Sequence, residues 1–245
     1  MNVALDIKDI LKAFGEKKIH KGVSFQLFKG EILALFGGSG TGKSVILRLI
    51  IGLEKPDSGS IMFQDQDLTK LSERKLYGVR QKIGYVFQNG ALFDSLNVEE
   101  NLAYPLIEHT NLSREQIRAK VNAMLELIDM KGSNKLLPAE LSGGMQKRAG
   151  LARATILEPH VILFDEPTAG LDPVNTKRLL HNIHTLKKTG ITGIFVTHDI
   201  PSAIDIADRI AILYDGRIHV IDTVENIKKS EDPLVQSFVS GSHEG

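Results

Sequence analysis

A chain of 245 residues with 42% apolar content is long enough to bury a full α/β core together with a small inserted lobe. Thirty basic residues balance thirty acidic ones, which leaves no general electrostatic case for nucleic acid, and the lack of cysteine excludes disulfides and suits a reducing cytoplasm. The longest apolar stretch, around Val45, is broken by Arg48, so no bilayer span and no signal peptide are expected, and any membrane role has to run through partners.

Taken in chain order, alternating apolar residues over 3–36 and again over 60–63 predict an antiparallel β subdomain. Residues 31–36 also read as a buried strand, and 44–52 as a helix. Between them lies Gly37-Gly38-Ser39-Gly40-Thr41-Gly42-Lys43-Ser44, a match to G-x-x-x-x-G-K-[ST] in the strand–loop–helix setting of a phosphate loop. Glycines let backbone N–H groups approach a triphosphate from several sides, Lys43 adds a point charge, the Ser44 hydroxyl suits Mg²⁺, and the helix N-terminus favours the anion. A nucleoside triphosphate with Mg²⁺ is therefore the expected ligand, and the family resemblance given below makes it ATP. A strand over 83–87 leads to Gln88, and helical periodicity through Ile117, Val121, Met124, Leu125 and Ile128 predicts an inserted helical subdomain at about 92–154. Phe87 reads as packing for that lobe, while Leu92 and Phe93, following Asn-Gly-Ala, read as a surface for a partner.

Ser142, Gly143 and Gly144 open a further helix whose free N-terminus is able to bind a terminal phosphate. The apolar run 161–164 then ends in Asp165 and Glu166, which a parallel sheet would carry to the phosphate loop: Asp165 to hold Mg²⁺ and Glu166 to orient or deprotonate an attacking water. His198 follows a third apolar strand, 192–196, at the same edge. The other seven histidines (His20, His109, His160, His181, His184, His219 and His243) sit in no motif and read as surface or packing residues. Alternation of helices at 176–188 and 202–207 with strands at 210–214 and 217–221 completes a mostly parallel sheet with its ligand at the strand ends. In the last segment, Leu234, Val235, Phe238 and Val239 form an apolar patch for docking on the chain's own core or on another subunit, and 241–245 are expected to be disordered.

At Leu141-Ser142-Gly143-Gly144-Met145 the chain resembles the signature of ATP-binding cassette (ABC) proteins, and the resemblance runs from Val3 to Ile227. It implies an α/β fold with a P-loop NTPase (RecA-like) core, an antiparallel β subdomain and an inserted α-helical subdomain: one cassette at 1–227 with an extension at 228–245. It further implies a head-to-tail dimer of two copies in which Ser142, Gly143 and Gly144 of one copy meet the nucleotide of the other. By the same resemblance Gln88 touches Mg²⁺ or the attacking water, Asp172 belongs to the loop crossing the dimer interface, His198 contacts the γ-phosphate, and Phe14 stacks on adenine. The groove near Gln88 to Tyr104 is where the family receives a transmembrane permease. Met145 departs from the glutamine common at that position. LSGGM, with the segments around Phe93 and around Tyr104, is similar to the ATPase subunits of Mla-type transporters, which implies hydrolysis of ATP coupled to phospholipid transport, lipid-binding accessory subunits, and a place at the cytoplasmic face of the inner membrane. The competing readings are the ATPase of an importer of small solutes and a nucleotide-gated regulator outside transport.

Overall fold

The computed structural model describes residues 2–240; the expected disorder of 241–245 and the reading of His243 lie outside the described residues. Strands β1 (Val3–Phe14) and β2 (Lys17–Phe28) form an antiparallel pair in which Leu5, Ile7, Ile10, Val23, Phe25 and Leu27 are buried and the residues between them mostly face out, the period of two that a one-sided sheet requires. β3 (Ile32–Phe36) is different: all five of its residues are buried. It pairs in parallel with two later strands, so it belongs to the central sheet and not to the antiparallel one suggested by the continuous 3–36 pattern. A strand covered on both faces reads as an unbroken apolar run, which distinguishes β3 from its alternating neighbours.

Helix α1 (Lys43–Ile50) follows, then β4 (Ser58–Phe63) and the short β5 (Gln66–Asp67), which complete a four-stranded sheet of order β2-β1-β4-β5. Helix α2 (Glu73–Arg80) carries too few apolar residues to stand out in the sequence; it buries only Leu76 and Val79. β6 (Ile83–Val86) leads into the helical region. Continuous periodicity there resolves into three helices, because polar caps interrupt it. Asn97 and Glu100 close a capping box at α3 (Val98–His109), and Ser113 and Gln116 close another at α4 (Arg114–Leu127). Residues 92–97 and most of 128–142 are not helical.

α5 (Gly143–Thr155) serves two cores at once. Ala149 and Ala152 pack with Val98, Leu102, Val121 and Leu125 of the helical lobe, while Leu151 packs with Val86, Phe164 and Phe195 of the sheet. The chain then alternates through β7 (Val161–Asp165), α6 (Pro173–Lys187), β8 (Gly193–Thr197), α7 (Ile200–Ile206), β9 (Arg209–Tyr214) and β10 (Arg217–Thr223). The second sheet has the order β10-β9-β3-β8-β7-β6, parallel except for the β9–β10 hairpin. Gly84 on the edge strand β6 lies against α5 so closely that a Cβ would sit 2.4 Å from the Ala154 carbonyl oxygen.

Helices α8 (Val224–Lys229) and α9 (Pro233–Val239) close the described chain. Val235 and Phe238 are buried with Phe36, Ile200 and Ile212, and the Phe238 ring meets Phe36 edge-on at 5.2 Å, so the apolar patch docks on its own core. Phe238→Ala should cost about 3 kcal/mol of unfolding free energy, as a large-to-small change in a packed site does. A urea titration reads this directly, and a loss below about 1 kcal/mol would show that α9 does not hold this position in solution.

Candidate active site

The parallel sheet brings three strand ends together. β3 runs into the loop 37–42, β7 ends in Asp165 and Glu166, and β8 ends just before His198; the three strands are neighbours in the order β3-β8-β7. The loop's path depends on glycine where space is absent. A Cβ on Gly37 would lie 2.6 Å from the Leu213 carbonyl oxygen, and Gly42, at φ 95°, caps α1, its carbonyl accepting from the N–H groups of Val45 and Ile46.

Two short chains of polar contacts cross this junction. In the first, the Ser44 hydroxyl donates to Asp165 Oδ1 at 2.5 Å and the Tyr85 hydroxyl donates to Asp165 Oδ2 at 2.7 Å. Burial, reinforced by the Asp165 charge, pushes the Tyr85 phenol well above its usual range, so it remains a donor. In the second, His198 Nδ1 lies 2.9 Å from Glu166 Oε2, while Glu166 Oε1 lies 3.7 Å from the buried Lys43 ammonium. Lys43 Nζ also donates to the carbonyls of Gly37 (2.9 Å) and Gly38 (2.8 Å). Burial lowers the pKa of Lys43, and the Glu166 carboxylate beside it opposes that shift. Glu166 itself sits at φ 46°, a left-handed conformation that costs a non-glycine residue energy. Its N–H still donates to the Val196 carbonyl, so the ladder and the two side-chain partners together hold the turn.

A cavity at this edge is lined by Phe14, Ile19, Gly40, Gly42, Lys43, Ser44, Val45, Arg48 and Glu166; Phe14 and Arg48 are exposed, whereas Lys43 is buried and Glu166 largely so. Lys12 Nζ lies 4.7 Å from the centroid of the Phe14 ring. Gln88, two residues past β6, is exposed. Ser142, Gly143, Gly144 and Asp172 gather elsewhere. Ser142 caps α5 through the Met145 N–H, and Asp172 caps α6 through the N–H groups of Val174 and Asn175. These two helix starts are packed so closely that a Cβ on Gly144 would meet Asn175 Oδ1 at 2.6 Å. Ser39 and Thr41 lie in the phosphate loop, where the Thr41 hydroxyl bonds the Gly38 carbonyl.

Some contributors carried no signal in the sequence. Tyr85 looks like any aromatic strand residue until β6 and β7 pair. Lys147, buried in α5, donates to the Ala169 carbonyl and ties α5 to the turn after Glu166. Gly90 and Gly150 allow backbone contact between the Gln88 segment and α5: a Cβ on Gly150 would sit 2.6 Å from Gly90 Cα. Beside them, the buried Asn101 accepts from Phe93 N–H and donates to the Phe93 and Leu96 carbonyls, while Arg153 holds the Ala91 carbonyl at 2.6 Å and lies over the Phe93 ring. Phe93 and Tyr104 pair edge-on at 5.1 Å on the surface. Leu92, read from the sequence as part of a partner surface, is half-buried against the lobe core, and Phe87, read as lobe packing, lies exposed beside Tyr85.

The ABC transporter family model matches residues 20–169. Over 242 residues the chain is 40% identical to the intermembrane phospholipid transport system ATP-binding protein MlaF of Escherichia coli (strain K12), which covers 98% of this chain and 90% of that protein. It is also 40% identical over 246 residues to the probable ribonucleotide transport ATP-binding protein mkl of Mycobacterium leprae, across 100% of this chain and 71% of the relative. Among solved structures, the dimeric post-hydrolysis state of the ATP-binding cassette MJ0796 bound to ADP and Pi superposes with a TM-score of 0.82 at 31% identity, over 90% of this chain and 98% of that one. The cbiO1 protein of Clostridium perfringens, part of the ABC transporter complex cbiONQ, gives 0.86 at 26% identity over 98% and 96%. Motif order, strand order and these matches point the same way, and the chain belongs to the ABC transporter family as one of its ATP-binding cassettes.

Proposed function

We propose that this chain is the ATP-hydrolysing subunit of a transporter that moves phospholipid between membranes. The hydrolytic half of the reading is carried by one observation: the His198–Glu166–Lys43 and Ser44–Asp165–Tyr85 contacts converge where the phosphate loop meets the strand ends. Loop residues Gly37, Gly38, Ser39, Gly40, Thr41 and Gly42 cradle the phosphates, Lys43 supplies positive charge to the β and γ groups, and Phe14 stacks on the base. Glu166 orients the attacking water and accepts its proton, and His198 steadies that carboxylate and contacts the γ-phosphate.

The donors also suit Mg²⁺. Among the described residues no group of three His, Cys, Asp or Glu is placed to hold a metal, whereas Ser44 Oγ and Asp165 Oδ1 offer a hydroxyl and a carboxylate oxygen side by side. A hard cation held by few protein oxygens and completed by phosphate and water fits that set, with Gln88 as a further oxygen, and such an ion neutralises phosphate charge. Tyr85 would orient Asp165 toward it.

Ser142, Gly143 and Gly144 at the free start of α5 are assigned to the γ-phosphate of a nucleotide held by a second copy, and Asp172 to the interface between copies, in keeping with the dimeric cassette among the structural relatives. Among the described residues no helix is long and apolar enough to cross a membrane. The reading puts the chain at the cytoplasmic face of the inner membrane, bound to permease subunits that dock near Gln88 to Tyr104 and joined by lipid-binding accessory subunits; the exposure of Phe87, Phe93 and Tyr104 supports the docking edge. Phospholipid as cargo rests on the match to MlaF across 90% of its length. The equal identity to a relative described as a probable ribonucleotide transporter supports a second reading of the cargo.

Glu166→Gln should keep ATP binding, trap a closed dimer and cut turnover by about two to four orders of magnitude, the contribution of a placed general base; turnover like that of the wild type would remove Glu166 from this role. Lys43→Ala should weaken nucleotide binding, measured by equilibrium titration, and unchanged affinity would refute the phosphate-loop assignment. Purified from its native membrane in mild detergent, the chain should bring a multi-pass permease and phospholipid. A permease that carries ribonucleotide would establish the second reading, and soluble partners alone would refute both.

A further inference from the structure

His20 stands on β2, outside the parallel core, yet it reaches the phosphate loop. It is 2% exposed, and its Nε2 lies 3.1 Å from the carbonyl oxygen of Gly42, the residue at which the loop turns into α1. A Cβ on Gly42 would lie 2.7 Å from His20 Nε2 and 2.4 Å from Ile19 Cγ2, so β2 and the loop meet at a distance only glycine permits. A carbonyl can only accept, which requires the ring proton to sit on Nε2. Nδ1 is buried without a hydrogen-bond partner among the described residues, so a second proton there would be unsatisfied. Burial keeps this imidazole below its ordinary pKa; Lys12, its cross-strand neighbour on β1, adds to that and the Gly42 contact opposes it. Lys18, Lys21, Arg217 and Asp57 line the cavity beside the ring, so its surroundings are basic on balance. The ring is therefore a neutral donor at neutral pH.

We propose that His20 is a positioning residue for the nucleotide, a strut that fixes the Gly42–Lys43 peptide. This role rests on the reading of 37–44 as the nucleotide site. A trans peptide is rigid and planar, so the contact that holds the Gly42 carbonyl toward β2 also directs the Lys43 N–H to the opposite side and sets the first residue of α1. Lys43 carries the loop's charge; the Gly42 carbonyl also accepts from the Val45 and Ile46 N–H groups, so His20 adds the bond from outside the helix, and its loss leaves the carbonyl only its two helical donors and sets the ammonium less tightly. His20 does not contact the reacting atoms; it acts through Gly42.

The test is the affinity of the full chain for a fluorescent ATP analogue, with the thermal midpoint followed in parallel. His20→Phe keeps the ring volume and removes the donor, and it should weaken binding about three- to tenfold, the effect of one buried hydrogen bond. His20→Gln, which restores an N–H donor, should return affinity to within about twofold of the wild type. Wild-type affinity in His20→Phe would overturn the proposal, as would a Gln variant as weak as the Phe variant, because the ring and not its donor would then matter. Should the Phe variant fail to fold, the pair His20→Gln and His20→Met decides: the thioether is close to the amide in length, carries no charge and presents no donor to Gly42, and it should bind at least threefold more weakly than the amide, as expected for a lost hydrogen bond of about that worth. Equal affinities in that pair would overturn the strut. Lys43→Ala, measured alongside, separates the two levels: unchanged affinity there refutes the loop assignment itself, whereas weak binding there with normal binding in the His20 variants refutes only the role of His20.

Discussion

Burial of the central strands on both faces is the constraint from which the site follows. β3, β7 and β8 are almost wholly apolar along their lengths, with Leu33, Leu35, Leu163 and Val196 turned to one cluster and Ile32, Ile162, Phe164 and Phe195 to another. A polar side chain inside such a strand would lose its hydration without gaining a partner. Chemistry is therefore confined to the ends of the strands, and parallel pairing puts the phosphate loop, Asp165, Glu166 and His198 at the same end. The strained turn at Glu166 is tolerated there because the Val196 carbonyl, His198 and Lys43 all hold it.

Helix α5 connects this end of the sheet to everything else. Its apolar residues are divided between the lobe core and the sheet core, its first residues lie against the start of α6, and Lys147 reaches the turn beyond Glu166. At Gly150 its backbone touches that of Gly90, two residues past Gln88. A contact between two backbones has no flexible side chain to absorb movement, so displacement of the Gln88 segment and of α5 must be shared. Arg153 and Asn101 extend the same connection to Phe93 on the surface. The strand ends, α5 and the exposed aromatic edge thus form a contiguous set of packed groups.

The phosphate loop is braced from a second direction as well. Its inner wall is the Leu213 backbone on β9, while β2 of the antiparallel sheet presses Ile19 and His20 against Gly42. The Lys21 N–H donates to the Gly216 carbonyl in the β9–β10 turn, which ties that part of β2 to the parallel sheet. Glycines at 37 and 42 serve close approach here as much as backbone freedom.

Much of this was legible in the chain itself. The residues that must be a particular chemical type, from Gly37 to Ser44 and at Asp165, Glu166 and His198, announce themselves by identity and spacing, and unbroken apolar runs mark their strands; order along the chain determined the family and the central sheet. Other features depend on proximity, which spacing does not encode. Nothing local tells β3 from the antiparallel strands before it except its lack of alternation, and α2 carries too little apolar surface to be seen. Tyr85 acquires its role only when β6 pairs with β7 and delivers its hydroxyl to Asp165. Leu92 and Phe87 depart from their expected places because side-chain direction in a loop is set by tertiary contacts: Leu92 packs on the lobe core, and the Phe87 ring lies beside Tyr85. Whether the apolar residues of α9 cover their own core, and whether His20 lies on the surface or buried against the phosphate loop, was decided by the fold, since burial belongs to the packed structure and both residue types are compatible with either.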